Sequence, residues 1–481
     1  MPESVTYWAT PYKNENRVFQ GAYYVQDQWT IRRLTLNLGV RLDYLNGYVP
    51  EHHLPAGPWV PARDFAEVKN VPNWKDINPR LGFAYDLFGT GRTAVKASLG
   101  RFVPIQSNIT IGGVPGSGMA FQNNPVARMV VSSTRTWTDA NGDYIPQESE
   151  LGPHSARDFG QLRTVTRFDD ELLRGWGVWP YSWQGSVALQ HELVTGLALN
   201  VAYFRTSWGN FYATDNLAVA PEDYDTFCVA ALDDPRLPSP GERICGLLAI
   251  KPAKFGIQDN IVRLAKHYGD QKDIHDAVDI TMNARFGRGG LLTGGISMGK
   301  TVTDSCEVLA KLPEMTTAAI GPVAADPLRA SPERACRVDP PLSAGTQFKL
   351  SGAYDLPWDL RVSASYQNNP GIETTATLVV PNADIVPSLG RNLAAGPRAT
   401  ANVELITPQS LYREGRITQV NFAVNRVFRI GTTRLQPRFE LHNALNSASI
   451  LAINPRYGPE WEQLRTVLAP MMAKFALQVD F

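Results

Sequence analysis

Between Leu34 and Tyr44 the chain alternates without a break. Leu34, Leu36, Leu38, Val40, Leu42 and Tyr44 fall on one side, and Thr35, Asn37, Gly39, Arg41 and Asp43 on the other. Successive side chains of a strand point to opposite faces, so this stretch predicts a long strand with one apolar and one polar face. The pattern returns along the chain. Leu81, Phe83 and Tyr85 alternate with Arg80, Gly82, Ala84 and Asp86, and Val278, Ile280 and Met282 with Asp279, Thr281 and Asn283. Leu360, Val362, Ala364 and Tyr366 alternate with Arg361, Ser363, Ser365 and Gln367. The last octapeptide sets Phe475, Leu477, Val479 and Phe481 against Lys474, Ala476, Gln478 and Asp480. About thirteen strands are expected, near 17–31, 32–47, 77–88, 93–104, 181–192, 197–208, 275–287, 290–303, 346–356, 359–369, 416–429, 433–445 and 473–481.

Several of these runs exceed the usual strand of roughly five or six residues and reach the nine to eleven or so that cross a bilayer at a tilt. Their connections sharpen the picture. Tight turns are expected at 88–92, 194–196, 287–290, 357–359 and 430–433. Long polar loops are expected at about 48–76, 105–180, 209–274, 304–345, 370–415 and 446–472. Short and long alternate throughout. A soluble sandwich has no reason to gather its long loops at one end, whereas a transmembrane barrel has short periplasmic turns and longer extracellular loops. The fold class expected is therefore all-β, an antiparallel transmembrane β-barrel, with Trp179, Tyr181, Trp183, Tyr203 and Tyr366 near the long-loop ends as girdle residues.

Composition fits. The 481 residues are 43% hydrophobic and 19% charged with a net charge of zero, so no basic stripe points to nucleic acid. No apolar run approaches a membrane helix, and a mean hydropathy of −0.21 is what alternating strands average to. The N-terminal residues lack the basic-then-apolar order of a secretory signal. Four cysteines, Cys228 with Cys245 and Cys306 with Cys336, form two local pairs, each within one long connection. In an oxidising compartment each pair is a disulfide candidate.

The stretches "YYVQDQWTIRRLTLNLGVRLDY", "NPRLGFAYDLFGTGRTAVKASLGRF", "RFELHNALN" and "KFALQVDF" resemble the barrel of TonB-dependent receptors, closest to the Oar-like subgroup. The resemblance implies a full protein with a signal peptide, a plug carrying a TonB box, and a barrel of about 22 strands. On that reading residues 1–481 are the C-terminal portion of the barrel, incomplete at about thirteen strands, with plug and signal peptide absent. It also implies outer-membrane lipid, the TonB complex (through the missing plug) and the barrel-assembly machinery as partners. Phe475, Leu477, Val479 and Phe481 would serve as the C-terminal assembly signal.

Motifs of other kinds compete weakly. Gly295 to Gly299, "GISMG", has the spacing of a nucleophile elbow, but Ser297 falls mid-strand with no helix after it, so no catalytic residue is assigned. Asp139, Asn141, Asp143, Ile145, Gln147 and Glu150 fall at positions 1, 3, 5, 7, 9 and 12 of a calcium loop. Position 6 is Tyr144 where that loop wants glycine, and the other reading is an Asx-rich turn. No cofactor is expected beyond this possible structural calcium. Asp169, Asp170 and Glu171 read as a solvated run. Trp59, Trp74, Trp137, Trp176, Trp179, Tyr457 and Trp461 are loop aromatics suited to stacking on a small-molecule or oligosaccharide ligand, or to packing the loops on each other. The function expected is TonB-dependent ligand binding and uptake at the bacterial outer membrane, without catalysis. A surface adhesive barrel and, further off, a soluble carbohydrate-binding module are the alternatives.

Overall fold

The computed structural model describes residues 3–104, 123–287, 289–315 and 336–481. The turn expected at 287–290 includes residue 288, and the loops expected at 105–180 and 304–345 include 105–122 and 316–335. Those residues lie outside the described ones.

Thirteen long strands form the continuous antiparallel body of a 16-stranded sheet, with three short strands, Arg174–Trp176, Arg337–Val338 and Phe428–Ile430, paired alongside. The thirteen are β1 (Arg17–Ile31), β2 (Leu34–Tyr48), β3 (Asn73–Asp86), β4 (Thr93–Phe102), β5 (Tyr181–Val194), β6 (Leu197–Gly209) and β7 (Lys272–Phe286). The sheet continues with β8 (Gly290–Asp304), β9 (Gln347–Leu356), β10 (Leu360–Asn369), β11 (Ile417–Arg426), β12 (Thr433–His442) and β13 (Met472–Asp480). Each pairs with the next in sequence, from Arg17↔Tyr48 at one edge to Arg434↔Asp480 at the other. All thirteen expected strands are present. Their boundaries move by up to four residues at 73–76, where the alternation passes through Trp74 and Asp76. Among the described residues the sheet does not close: β1 and β13 each keep one unpaired edge.

The register fixes two unlike faces. Val201, Ile280 and Ile296 lie abreast on β6, β7 and β8, and Phe439 and Phe475 abreast on β12 and β13, with their rings 5.0 Å apart. Val201, Ile296 and Phe475 stand exposed and Ile280 and Phe439 half-buried, none of them covered by the loop cores, as a lipid-facing surface requires. Tyr366 belongs to this face toward the long connections, whereas Tyr203 pairs with Val278 at mid-strand and is not a girdle residue, and Phe286 stacks on Tyr354 near the short turns. The opposite face is a hydroxyl, amide and charge ladder. Ser98 bonds Ser186 at 2.7 Å, Ser297 Oγ donates to Asp279 at 2.6 Å, and Thr293 Oγ1 donates to Asn283 at 2.7 Å. Glu440 accepts Arg438 at 2.7 Å and Lys474 at 3.3 Å. Ser297 thus sits in an unbroken strand, paired on both sides, with no turn to strain it into a nucleophile.

All long connections leave from the same end of the sheet and carry the buried cores. Trp179 belongs to one of them and is fully buried, so it is not a girdle residue. Cys228 is bonded to Cys245, across the hairpin Tyr224–Ala230 and Arg243–Ile250, and Cys306 to Cys336.

The face assignment has a direct check. Val278→Arg, mid-strand on the apolar face of β7, should cost about 2–4 kcal/mol in urea unfolding from lipid vesicles. Thr281→Arg on the polar face should cost much less. Equal costs would refute the assignment.

Candidate functional site

The mouth of the polar face is built where β2, β3 and β4 meet the long connections. Asp43 and Asp76 are direct neighbours across β2 and β3, both on the polar face and both buried. Two adjacent carboxylates repel unless each is neutralised, and here each has its own guanidinium. Arg41 Nε donates to both oxygens of Asp43, at 2.9 and 3.0 Å. Arg101 Nη1 lies 2.6 Å from Asp76 Oδ1 and donates to Asn78 Oδ1 at 2.7 Å. Asn78 Nδ2 in turn donates to Asp43 Oδ2 at 2.7 Å, which ties the two pairs together.

An apolar cap shields this network. Leu45 and Trp74 from the wall pack with Leu172, Leu173, Val178 and Trp179 from the connection after β4, and with Tyr212, Val262 and Leu264 from the connection after β6. Trp74 Nε1 donates to the Leu172 carbonyl at 2.8 Å, and its ring lies 5.4 Å from that of Trp179. Burial, with Asp76 close by, pushes the Tyr212 phenol well above its ordinary pKa.

A second core joins the connection after β6 to two further ones. The disulfide hairpin supplies Phe227, Ile244 and Leu247, the segment 376–406 supplies Val380, Ile385 and Val403, and the connection after β12 supplies Trp461. A third core, with Val308, Leu309 and Met315, docks the helix Cys306–Lys311 against Ala213 and Ala265. At that junction Glu314 Oε1 accepts the Asn216 backbone N–H at 3.0 Å. Burial raises the Glu314 pKa, and the nearby Asp215 raises it further, against the pull of that N–H.

The structure separates the seven loop aromatics. Trp74, Trp137, Trp179 and Trp461 are buried. The Nε1–H of Trp74 donates to the Leu172 carbonyl, that of Trp137 to Glu150 at 3.1 Å and that of Trp461 to the Thr375 carbonyl at 2.9 Å, while the Trp179 Nε1–H has no partner among the described residues. Tyr457 is half-buried, and its Oη donates to Asp234 at 2.9 Å. Trp59 and Trp176 remain exposed, Trp59 edge-on to Tyr7 and Trp176 beneath Lys75. The seven rings therefore do not form one surface. Asp169 N-caps a four-residue helix and pairs with Arg263, while Glu171 pairs with Lys266 and His267, as a solvated run does.

In the acidic loop, Asp139 accepts the Gly142 and Tyr144 backbone N–H groups, and Asp143 accepts the Ile145 backbone N–H and the Gln147 side-chain amide. Glu150 accepts the Ala140 N–H. Tyr144 has a φ of 60°, so a non-glycine residue takes the left-handed turn. Among the described residues, no group of three or more His, Cys, Asp or Glu side chains is placed to hold a metal. Phe475, Leu477, Val479 and Phe481 line the exposed side of the edge strand β13 and its end.

A family model described as an outer membrane beta barrel domain matches residues 1–291, more than half of the chain. The chain belongs to that family. It is an outer-membrane protein of bacteria. Solved structures similar to this barrel chain include the ferric-catecholate import receptor Fiu from Escherichia coli K12, at 13% identity and a TM-score of 0.41, over 96% of this chain and 44% of that one. Others are the siderophore receptor PiuA from Acinetobacter baumannii, at 9% identity and 0.43, over 96% and 43%, and the FrpB iron transporter from Neisseria meningitidis, at 11% and 0.42, over 97% and 46%. The barrel chain spans less than half the length of each of these three. No curated protein matches it.

Two outcomes follow from the site. Arg101→Ala leaves Asp76 buried without its cation and should cost about 3–5 kcal/mol in denaturant unfolding, most of it restored by adding Asp76→Ala. For Glu314, a raised pKa favours the protonated folded form. The junction of the helix with 212–216 should thus be firmest below the ordinary value of 4.5 and loosen as pH rises through the raised one. Hydrogen exchange at 212–216 and 306–315 across that range should show it, and Glu314→Gln should flatten the dependence.

Proposed function

We propose that this chain is the membrane wall of a TonB-dependent receptor of the Oar-like kind, which binds a small ligand at its outer loops and passes it inward by energy-coupled gating. The observation that carries the reading is the pairing of a lipid-facing sheet with packed loops gathered at one end, on a chain whose strand motifs resemble that family. A receptor needs its recognition surface held rigid against solvent, and three loop cores with two disulfides supply that rigidity. Binding and gating, with no catalytic step, account for the polar ladder on the wall. In this reading the plug and TonB box lie outside residues 1–481, and the barrel-assembly machinery reads the apolar side of β13 and Phe481.

Outer-membrane vesicles carrying the full gene product, mixed with the purified periplasmic domain of TonB, test the reading. Capture is expected, and it should disappear when the segment preceding the barrel is deleted. Vesicles that capture no TonB, from cells that still adhere through the loops, would establish the adhesive alternative instead.

A further inference from the structure

One row of the polar face differs from every ladder around it. Across β1 to β5 the paired positions read Gln26, Gly39, Arg80, Gly100 and Gln184. Arg80 therefore has glycine beside it on both neighbouring strands, and a carboxamide beyond each glycine. On the row below, Gly82 lies between Asn37 and Ser98. The Phe102 ring lies over Gly100, and the missing side chains at Gly39 and Gly82 leave a hollow in the wall, a cavity of about 750 Å³ lined by all of the residues just named. Ligand sites commonly measure about 300–1,000 Å³.

The fold itself does not ask for glycine at position 39. Its backbone is not left-handed, and a Cβ there would meet its nearest atoms at 3.6 Å, ordinary contact distance. A strand interior gains from a side chain, and glycine within one marks places where something else approaches closely. The guanidinium in the hollow is also unspent. Arg80 is exposed, stacks on the Phe102 ring at 4.7 Å, and has no carboxylate partner among the described residues. Its charged neighbour Arg41 is already committed to Asp43. A planar cation, fixed by stacking and flanked by amide donors, matches the fork of a carboxylate.

We propose that the Arg80 hollow is a binding site for a carboxylate-bearing small molecule on the polar wall. The proposal rests on the receptor reading only for its purpose, since such a site gives cargo leaving the loops an anion-selective foothold inside the barrel. One guanidinium in a wet hollow gives weak affinity, with a Kd on the order of millimolar.

Saturation-transfer NMR of succinate with the purified chain in neutral detergent tests this, with succinamide as the uncharged isostere. Succinate should bind, succinamide should not, and binding should weaken as salt rises. Arg80→Gln should weaken succinate at least about tenfold. Gly39→Val, which fills the hollow and leaves the charge, should do the same, and Arg205→Gln on the other face should change nothing. Circular dichroism confirms that each variant keeps its β signal. Should Arg80→Gln lose it, Gly39→Val and Gln184→Leu carry the test. Equal binding of succinate and succinamide overturns the site, as does undiminished binding in the folded variants. TonB capture from vesicles does not depend on this measurement, so either reading can fail alone.

Discussion

A strand in hydrocarbon has no water to satisfy its N–H and C=O groups, so every one of them must find a partner on the next strand. That requirement explains strands of nine to fifteen residues, paired in sequence order with hardly a break in register. It also bears on the edges. Each of the twelve pairings from β1 to β13 is antiparallel, so β1 and β13 run in the same direction. Joining them directly would make a parallel seam, and so would joining either to the same sheet of a second, co-oriented copy. Antiparallel closure requires an odd number of further strands between them, which agrees with the even totals of single-chain bacterial barrels.

The sheet was legible because its signal is local. Leu34 to Tyr44 or Phe475 to Phe481 states its two faces within a few residues, and the long-short alternation of the connections states which end is which. Boundaries drifted where the polar set turned apolar under a loop cap. Trp74 breaks the expected polarity of β3 because it packs on Leu172 and Trp179 rather than facing a wet interior. The loops were opaque for the same reason in reverse. Nothing near Trp461 in sequence announces that it closes over the disulfide hairpin and Val403. An aromatic in a polar stretch looks the same whether it will stack on a ligand or on another loop. Arg80 could be placed on the polar face from sequence, but its glycine flanks come from two other strands, and only the register brings them abreast.

The wall treats its cations in two ways, and the difference follows from cover. At the capped end water is excluded, so charge has to be matched in place. Asp43 and Asp76 are tolerated as neighbours only because Arg41, Arg101 and Asn78 spend their donors on them. Such a network fixes the cap to the wall and has nothing left for a visitor. Arg80 lies four positions along the same face from Asp76, beyond the cap, where solvent screens it and no local carboxylate is needed. A guanidinium left unpaired under the cap would cost several kcal/mol, whereas in the open hollow it costs little and keeps its hydrogen-bonding fork free. The same side chain is therefore structural at one height and available at another, and the boundary between the two is the lower edge of the loop core.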